Sequence, residues 1–367
     1  MQTTALKGLT RTLLCTAWLA SGSSVMAQAP VPQDPVEGIR SLFDRYRVVM
    51  LGEIHGSVQF DEMLKKLVSA PGFPDRVNDI VVEAGNSLHQ AALDRYIAGE
   101  NVPIERLRKS WEDAVGMPGG VATPPYHNLC STIRAINQSL PPERRIRVLA
   151  GDPPIDWKRV ATRDDIAPFL GFRDEHYASV VRYEVLAKRR KALLIMGAGH
   201  FQRRDGKPGL VEQQLVAALV KPYVVLAGSN VVGTYDDVDP RFETDEHPAP
   251  WLLEIKGSWL AALRRQGETS LIGVPALGSR GVPESAVRTW DQAADAFLYL
   301  GPRDKLTTGG EAFDLEGTAY GDELRRRWTI LFPTPPAALP KSDGKERPLF
   351  QRSPTTTPAL SAPRGPA

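Results

Sequence analysis

The chain has 367 residues, 42% of them hydrophobic and 24% charged, with 45 Lys and Arg against 43 Asp and Glu. That balance belongs to a globular protein large enough to bury a substantial core, as one large domain or two small ones. A net charge of +2 gives no general basic field, which argues against a nucleic-acid or anionic-membrane partner, and two cysteines exclude a disulfide scaffold or a Cys-rich zinc module.

In chain order, the first element is an address. Lys7 and Arg11 precede an apolar run at 13–20, and small residues follow to Ala27-Gln28-Ala29. This is the pattern of a secretory signal peptide, with cleavage predicted after Ala29. The apolar run is too short to span a bilayer comfortably. Removing the leader leaves equal numbers of basic and acidic residues, with Cys130 as the only thiol. The mature protein is therefore expected to be periplasmic or secreted, with residues 30–35 as a linker and no membrane span.

Five apolar runs rich in β-branched residues follow, each stopping at a glycine-containing or charged corner. Residues 47–51 run into Gly52-Glu53-Ile54-His55-Gly56, and 79–82 into Glu83-Ala84-Gly85-Asn86. Residues 146–150 run into Gly151-Asp152-Pro153-Pro154, 192–196 into Gly197-Ala198-Gly199-His200, and 223–227 into Gly228-Ser229-Asn230. Segments of helical period lie between them, at about 58–69, 87–98, 104–115, 126–138, 174–190 and 210–220. The alternation predicts an α/β fold, a mostly parallel Rossmann-like sheet with helices on both faces. A small helical insertion is expected at about 104–145. Residues 251–255 and 296–300 read as further strands and 322–328 as a short terminal helix, giving one α/β domain over 36–332. From Pro333 onward 9 prolines in 35 residues predict a disordered or extended tail, 333–367.

The ionisable groups fall at the strand ends. Glu53, His55, Glu83, Asp152 and His200 each lie within a few residues of a predicted carboxyl terminus, and a parallel sheet brings those termini to one edge, where ligands bind. Glu53 and His55, two apart in extended chain, face the same way. Ser87 and Gln90 fit a capping box for a helix starting beside Glu83. His89 and His176 fall on helices and read as surface residues. Trp157 is expected to wall the crevice or sit in the core.

Gly52-Glu53-Ile54-His55-Gly56, the strand ending at Glu83 and Gly197-Ala198-Gly199-His200 together resemble the erythromycin-esterase, ChaN-like and Tiki superfamily, over roughly residues 45–205. Phe172-Arg173-Asp174 looks like the Arg-Asp corner of the erythromycin esterases. Only Ile54 separates the first Glu and His, as in the ChaN-like branch. The resemblance implies a Rossmann-like core with Glu53, His55, Glu83, Arg173 and His200 as the functional set.

Three kinds of chemistry follow. The first is an exported hydrolase that splits an ester or amide of a small molecule or peptide with activated water. His55 is the natural base, Glu53 or Glu83 orients it, and Arg173 or protonated His200 stabilises the oxyanion. There is no Gly-x-Ser-x-Gly elbow. In the second, Glu53, His55 and His200 hold a divalent metal (Zn, Mn or Fe), as the Tiki branch implies, whereas the esterase branch implies a metal-free base. In the third, implied by the ChaN branch, the protein binds haem or iron through Tyr126, His127 or Tyr177.

Overall fold

The computed structural model describes residues 29–115, 123–201, 203, 206–230, 239–265, 288–309, 315–332, 339 and 344–349. The leader up to residue 28 and most of the Pro-rich tail lie outside the described residues. No helix among the described residues is long and apolar enough to cross a membrane.

The central sheet has seven strands: β1 (Val48–Glu53), β2 (Asp79–Asn86), β3 (Arg147–Asp152), β4 (Ala192–Gly197), β5 (Tyr223–Gly228), β6 (Trp251–Glu254) and, after the short pair β7 (Arg264–Arg265) and β8 (Arg288–Thr289), β9 (Ala296–Tyr299). Their spatial order is β3-β2-β4-β1-β5-β9-β6, all parallel except edge strand β6. β1 to β5 coincide with the five apolar runs. They are buried almost throughout, because a parallel sheet is covered on both faces.

Alternate residues of each strand feed two cores. Val49 and Leu51 of β1 face a layer made by α1 (Pro35–Leu42), α2 (Val58–Ser69), α3 (Phe73–Arg76), α4 (Gln90–Ile97), α5 (Ile104–Glu112) and α6 (Thr123–Gln138). Val48 and Met50 face α8 (Arg173–Val180), α9 (Ala198–Phe201) and α10 (Leu210–Ala217), which follow α7 (Arg163–Gly171). The helices change face where the winding reverses: β1 leads toward β2 and β3, and the chain then returns through β4 to β5. Right-handed crossovers require this change. In the stretch where a helical insertion is expected lie α5, which packs on β2 and α4, and α6, which packs on α2 and α4. Cys130 on α6 is buried there, and burial pushes its thiol up to about 12.

Two predicted boundaries shift. In the supposed linker, Gln33 exchanges backbone hydrogen bonds with Leu252 and Pro35 opens α1, so order begins earlier. Past residue 332, where α11 (Ala319–Leu331) ends, Leu339 is buried against Leu315, Leu324 and Trp328. Farther on, β11 (Arg347–Pro348) pairs with β10 (Thr307–Thr308).

Candidate active site

The four strands β3, β2, β4 and β1 are neighbours, so Asp152, Glu83, His200 and the Glu53–His55 pair arrive at one stretch of one edge. Glu53 is the last residue of β1, and His55 precedes a turn at Gly56 with φ 76°, a conformation that favours glycine. The β2–β3 register shifts between Val82 and Asn86, and this irregularity falls on Glu83. β4 ends at Gly197, where an added Cβ would lie 2.5 Å from His55 Nε2 and 3.3 Å from Glu83 Oε2. Glycine is thus required for the ring to lie over the strand end.

The side chains converge on Glu83. His55 Nδ1 lies 3.1 Å from Glu53 Oε1, and its Nε2 lies 3.7 Å from Glu83 Oε2. His200 places Nε2 3.3 Å from Glu83 Oε1 and Nδ1 2.6 Å from Asp174 Oδ1. Glu83 Oε2 also accepts from the Gly197 N–H at 2.5 Å, and Oε1 from Arg173 at 3.0 Å. One buried carboxylate therefore stands between two imidazoles, each backed by its own carboxylate. The side chains of His55 and His200 remain 30% and 23% exposed.

Beneath this layer Arg173 and Tyr177 form the support. Arg173 donates to Asp152 Oδ1 at 2.8 Å, and Tyr177 donates to the same oxygen at 2.7 Å. Asp152 Oδ2 accepts the Val115 N–H at 2.6 Å. Asp152 and Tyr177 are fully buried. An added Cβ at Gly151 would meet the Tyr177 ring at 2.4 Å, so a glycine makes room here too. Arg173, the alternative oxyanion donor, directs its described hydrogen bonds inward to Asp152, Glu83 and Tyr177.

Electrostatics follow from the convergence. Burial alone would lower both imidazoles, but Glu83 and Glu53 outweigh it at His55 and raise it to about 9. Glu83 and Asp174 likewise raise His200 to about 10. Burial would raise Glu83, yet the two histidines and Arg173 hold it well below the usual carboxylate range. Both rings are therefore imidazolium at neutral pH.

Glu53, His55 and Glu83 each offer a ligand atom, and the three atoms lie within 4.8 Å of one another, a group that can hold a metal ion. His200, named with Glu53 and His55 from the sequence, is directed instead at Glu83 and Asp174. The haem candidates are dispersed. Tyr177 is sealed beneath the site, His127 lies on α6 with its ring 6.0 Å from that of Trp111, and the Tyr126 side chain is outside the described residues. A groove of about 440 Å³ lined by His89, Pro103, Glu105, Arg106 and Lys109 includes none of the strand-end residues.

Several local expectations change. Asn86, not Ser87, caps the helical turn after β2, its side chain accepting from the Leu88 N–H at 2.9 Å, and Gln90 reaches across to Val148 and Ala150 of β3. Neither His89 nor His176 is a free surface ring: His89 meets Asp113 at 3.1 Å and His176 meets Ser87 at 3.2 Å. Trp157 is buried, and its Nε1 donates to the Asp113 carbonyl at 2.9 Å. The sequence names Asp174 only within the Arg-Asp corner and Tyr177 only as a haem candidate, and does not reveal their hydrogen bonds to His200 and Asp152. Asp174 was visible beside Arg173, and Tyr177 lies one helical turn farther along the same face.

No family model matches the chain, and no curated protein matches it. Among solved structures, a Bacillus cereus protein is 10% identical, with 75% of this chain and 95% of that chain covered and a TM-score of 0.43. A succinoglycan biosynthesis protein is also 10% identical, covering 75% and 94%, with a TM-score of 0.47. ChaN of Campylobacter jejuni, described with cofacially bound heme, is 16% identical, covering 55% and 87%, with a TM-score of 0.33.

Proposed function

We propose that the chain is a hydrolase of esters or amides in which His55 activates water and His200 stabilises the oxyanion. The observation that carries this reading is the charged series Glu53–His55–Glu83–His200–Asp174, in which hydrogen bonds join His55 to Glu53 and His200 to Asp174 while Glu83 lies 3.7 Å and 3.3 Å from the two rings, both partly open to solvent. Glu53 accepts the Nδ1 proton and fixes the tautomer, leaving His55 Nε2 as the nitrogen that takes a proton from water. His200, held protonated between Glu83 and Asp174, offers positive charge near where negative charge develops on the substrate oxygen. Arg173, Tyr177 and Asp152 hold Glu83 in place and touch no substrate. A cleaved leader at residues 1–29 would carry this activity outside the cytoplasm.

The raised values define a pH profile. His55 must lose its proton to act as base and His200 must keep its own, so kcat/KM rises toward about 9 and falls beyond about 10, with both limbs belonging to the coupled pair.

A metal site is a second reading, favoured by the close approach of Glu53, His55 and Glu83. A divalent ion (Zn, Mn or Fe) held there would supply Lewis acidity to a carbonyl oxygen. Against it, both Glu83 oxygens already accept from N–H groups of Gly197 and Arg173. Haem binding through His127 gains no support from its place on α6 beside Trp111.

The test is turnover of p-nitrophenyl esters and peptide p-nitroanilides by wild type and His55→Asn, before and after chelation. The account expects hydrolysis that survives chelation and falls at least about 100-fold in the variant, the scale of a general base. Equal turnover in wild type and variant overturns it, and loss on chelation with recovery on adding Zn selects the metal reading.

A further inference from the structure

Next to the Glu/His series, the same part of the sheet carries a different juxtaposition. Ser87 Oγ and His176 Nε2 lie 3.2 Å apart. Ser87 follows the last residue of β2, and His176 lies on α8 between Arg173 and Tyr177. Both are half-buried, so the pair is held by the fold yet reachable from solvent. The His176 ring is steadied by the edge of Phe172, with centroids 6.0 Å apart and planes at 80°. Burial pushes His176 down, only partly opposed by Asp152, so it is neutral at neutral pH and its Nε2 can accept a proton.

The surroundings point to a class of substrate. Leu88, adjacent to Ser87, is 50% exposed, and Phe172, against His176, is 45% exposed. Leu88 next to Ser87 in the chain and Phe172 against His176 leave large apolar side chains open near the paired hydroxyl, surface suited to an apolar chain.

We propose that Ser87 is a nucleophile with His176 as its base, acting on esters of apolar acyl groups. The Ser87 oxygen bonds to the carbonyl carbon as its proton passes to His176 Nε2. Collapse of the adduct breaks the ester C–O bond, and the imidazolium returns the proton to the departing alkoxide. Water then enters by the reverse sequence, releasing the carboxylic acid and restoring the hydroxyl. This chemistry is separate from that of Glu53, His55 and His200, and neither depends on the other.

The test treats the full chain with an alkyl fluorophosphonate, in which a P–O bond to the enzyme forms as P–F breaks, and locates the adduct by peptide mass spectrometry. An adduct on Ser87 is expected, forming about 100-fold more slowly in His176→Gln, the scale of a general base. It should form faster with an octyl than with a methyl chain and survive in His55→Asn. No adduct, an adduct elsewhere, or equal rates at Ser87 in wild type and His176→Gln overturns the proposal. Circular dichroism checks that the variant is folded. Should it not be, His176→Asn, which keeps a polar side chain too short to reach the hydroxyl, takes its place. Labelling of Ser87 in a His55→Asn protein that has lost turnover separates this proposal from the preceding one.

Discussion

Two clusters of buried charge lie side by side in this molecule, and they use similar ingredients for opposite ends. In the first, Glu53, Glu83 and Asp174 surround His55 and His200, side chains that gain and lose protons. In the second, Glu112, Asp113 and His89 meet Arg108 and Arg327, and the arginines do not titrate. Arg327 donates to Asp113 Oδ1 at 2.6 Å and to the Glu112 carbonyl at 2.9 Å, while stacking over Trp157 at 4.6 Å. Tyr320 adds a hydrogen bond to the same carbonyl at 2.8 Å. Most of these bonds end on backbone oxygens, so the second cluster fastens α11 to the end of α5. Burial raises Glu112 to about 7 despite Arg108 beside it, whereas Glu83 is held low by the cations around it. What separates the two is what the central carboxylate meets: Glu83 stands between two imidazoles, whereas Glu112 is paired with the Arg108 guanidinium.

The largest effect that sharpens this contrast is expected from Arg173→Met. It would leave Asp152 and Glu83 buried without their shared guanidinium, which costs about 3–5 kcal/mol. Urea unfolding measures the loss, and a change below about 1 kcal/mol would show that the support under the site is dispensable. Arg327→Met should cost somewhat less, about 3 kcal/mol, because Asp113 keeps His89. The histidine titrations of the first cluster should stay in place, and a shift in them would show that the clusters act as one through the Val115–Asp152 hydrogen bond. Gly197→Ala should cost about 1–3 kcal/mol through overpacking against the His55 ring. Turnover should fall further than stability, and retained turnover would show that the ring need not lie over the strand end.

The contrast also shows in stability against pH. His55 and His200 have folded values, about 9 and 10, above the unfolded 6.5, so their contribution is complete below pH 6.5 and is lost as pH rises through 9 to 10. Glu83 is shifted the other way, and its contribution is complete above pH 4.5 and lost as pH falls through its lowered value. The difference in unfolding midpoint between wild type and His55→Gln should therefore shrink between pH 6.5 and 10. A constant difference across that range would contradict the assignment.

The strand ends were legible because each apolar run stops at a glycine and an ionisable group. That pattern alone placed Glu53, His55, Glu83, Asp152 and His200 on one sheet edge. The partners were not legible, since they depend on how α8 lies against β2 and β3. Nothing local to Tyr177 says that its hydroxyl will meet Asp152, and nothing in Ser87-x-x-Gln90 says that Asn86 will take the cap. Arg327 was equally silent, because Glu112 and Asp113 are more than 200 residues away and are brought near only when α11 docks.

The central claim is that one buried carboxylate holds two partly open imidazoles in their protonated form. Titration of the imidazole nitrogens by NMR, assigned with His55→Gln and His200→Gln, tests it with no substrate. The account predicts midpoints near 9 for His55 and near 10 for His200. Midpoints near the ordinary 6.5 for both rings would contradict it.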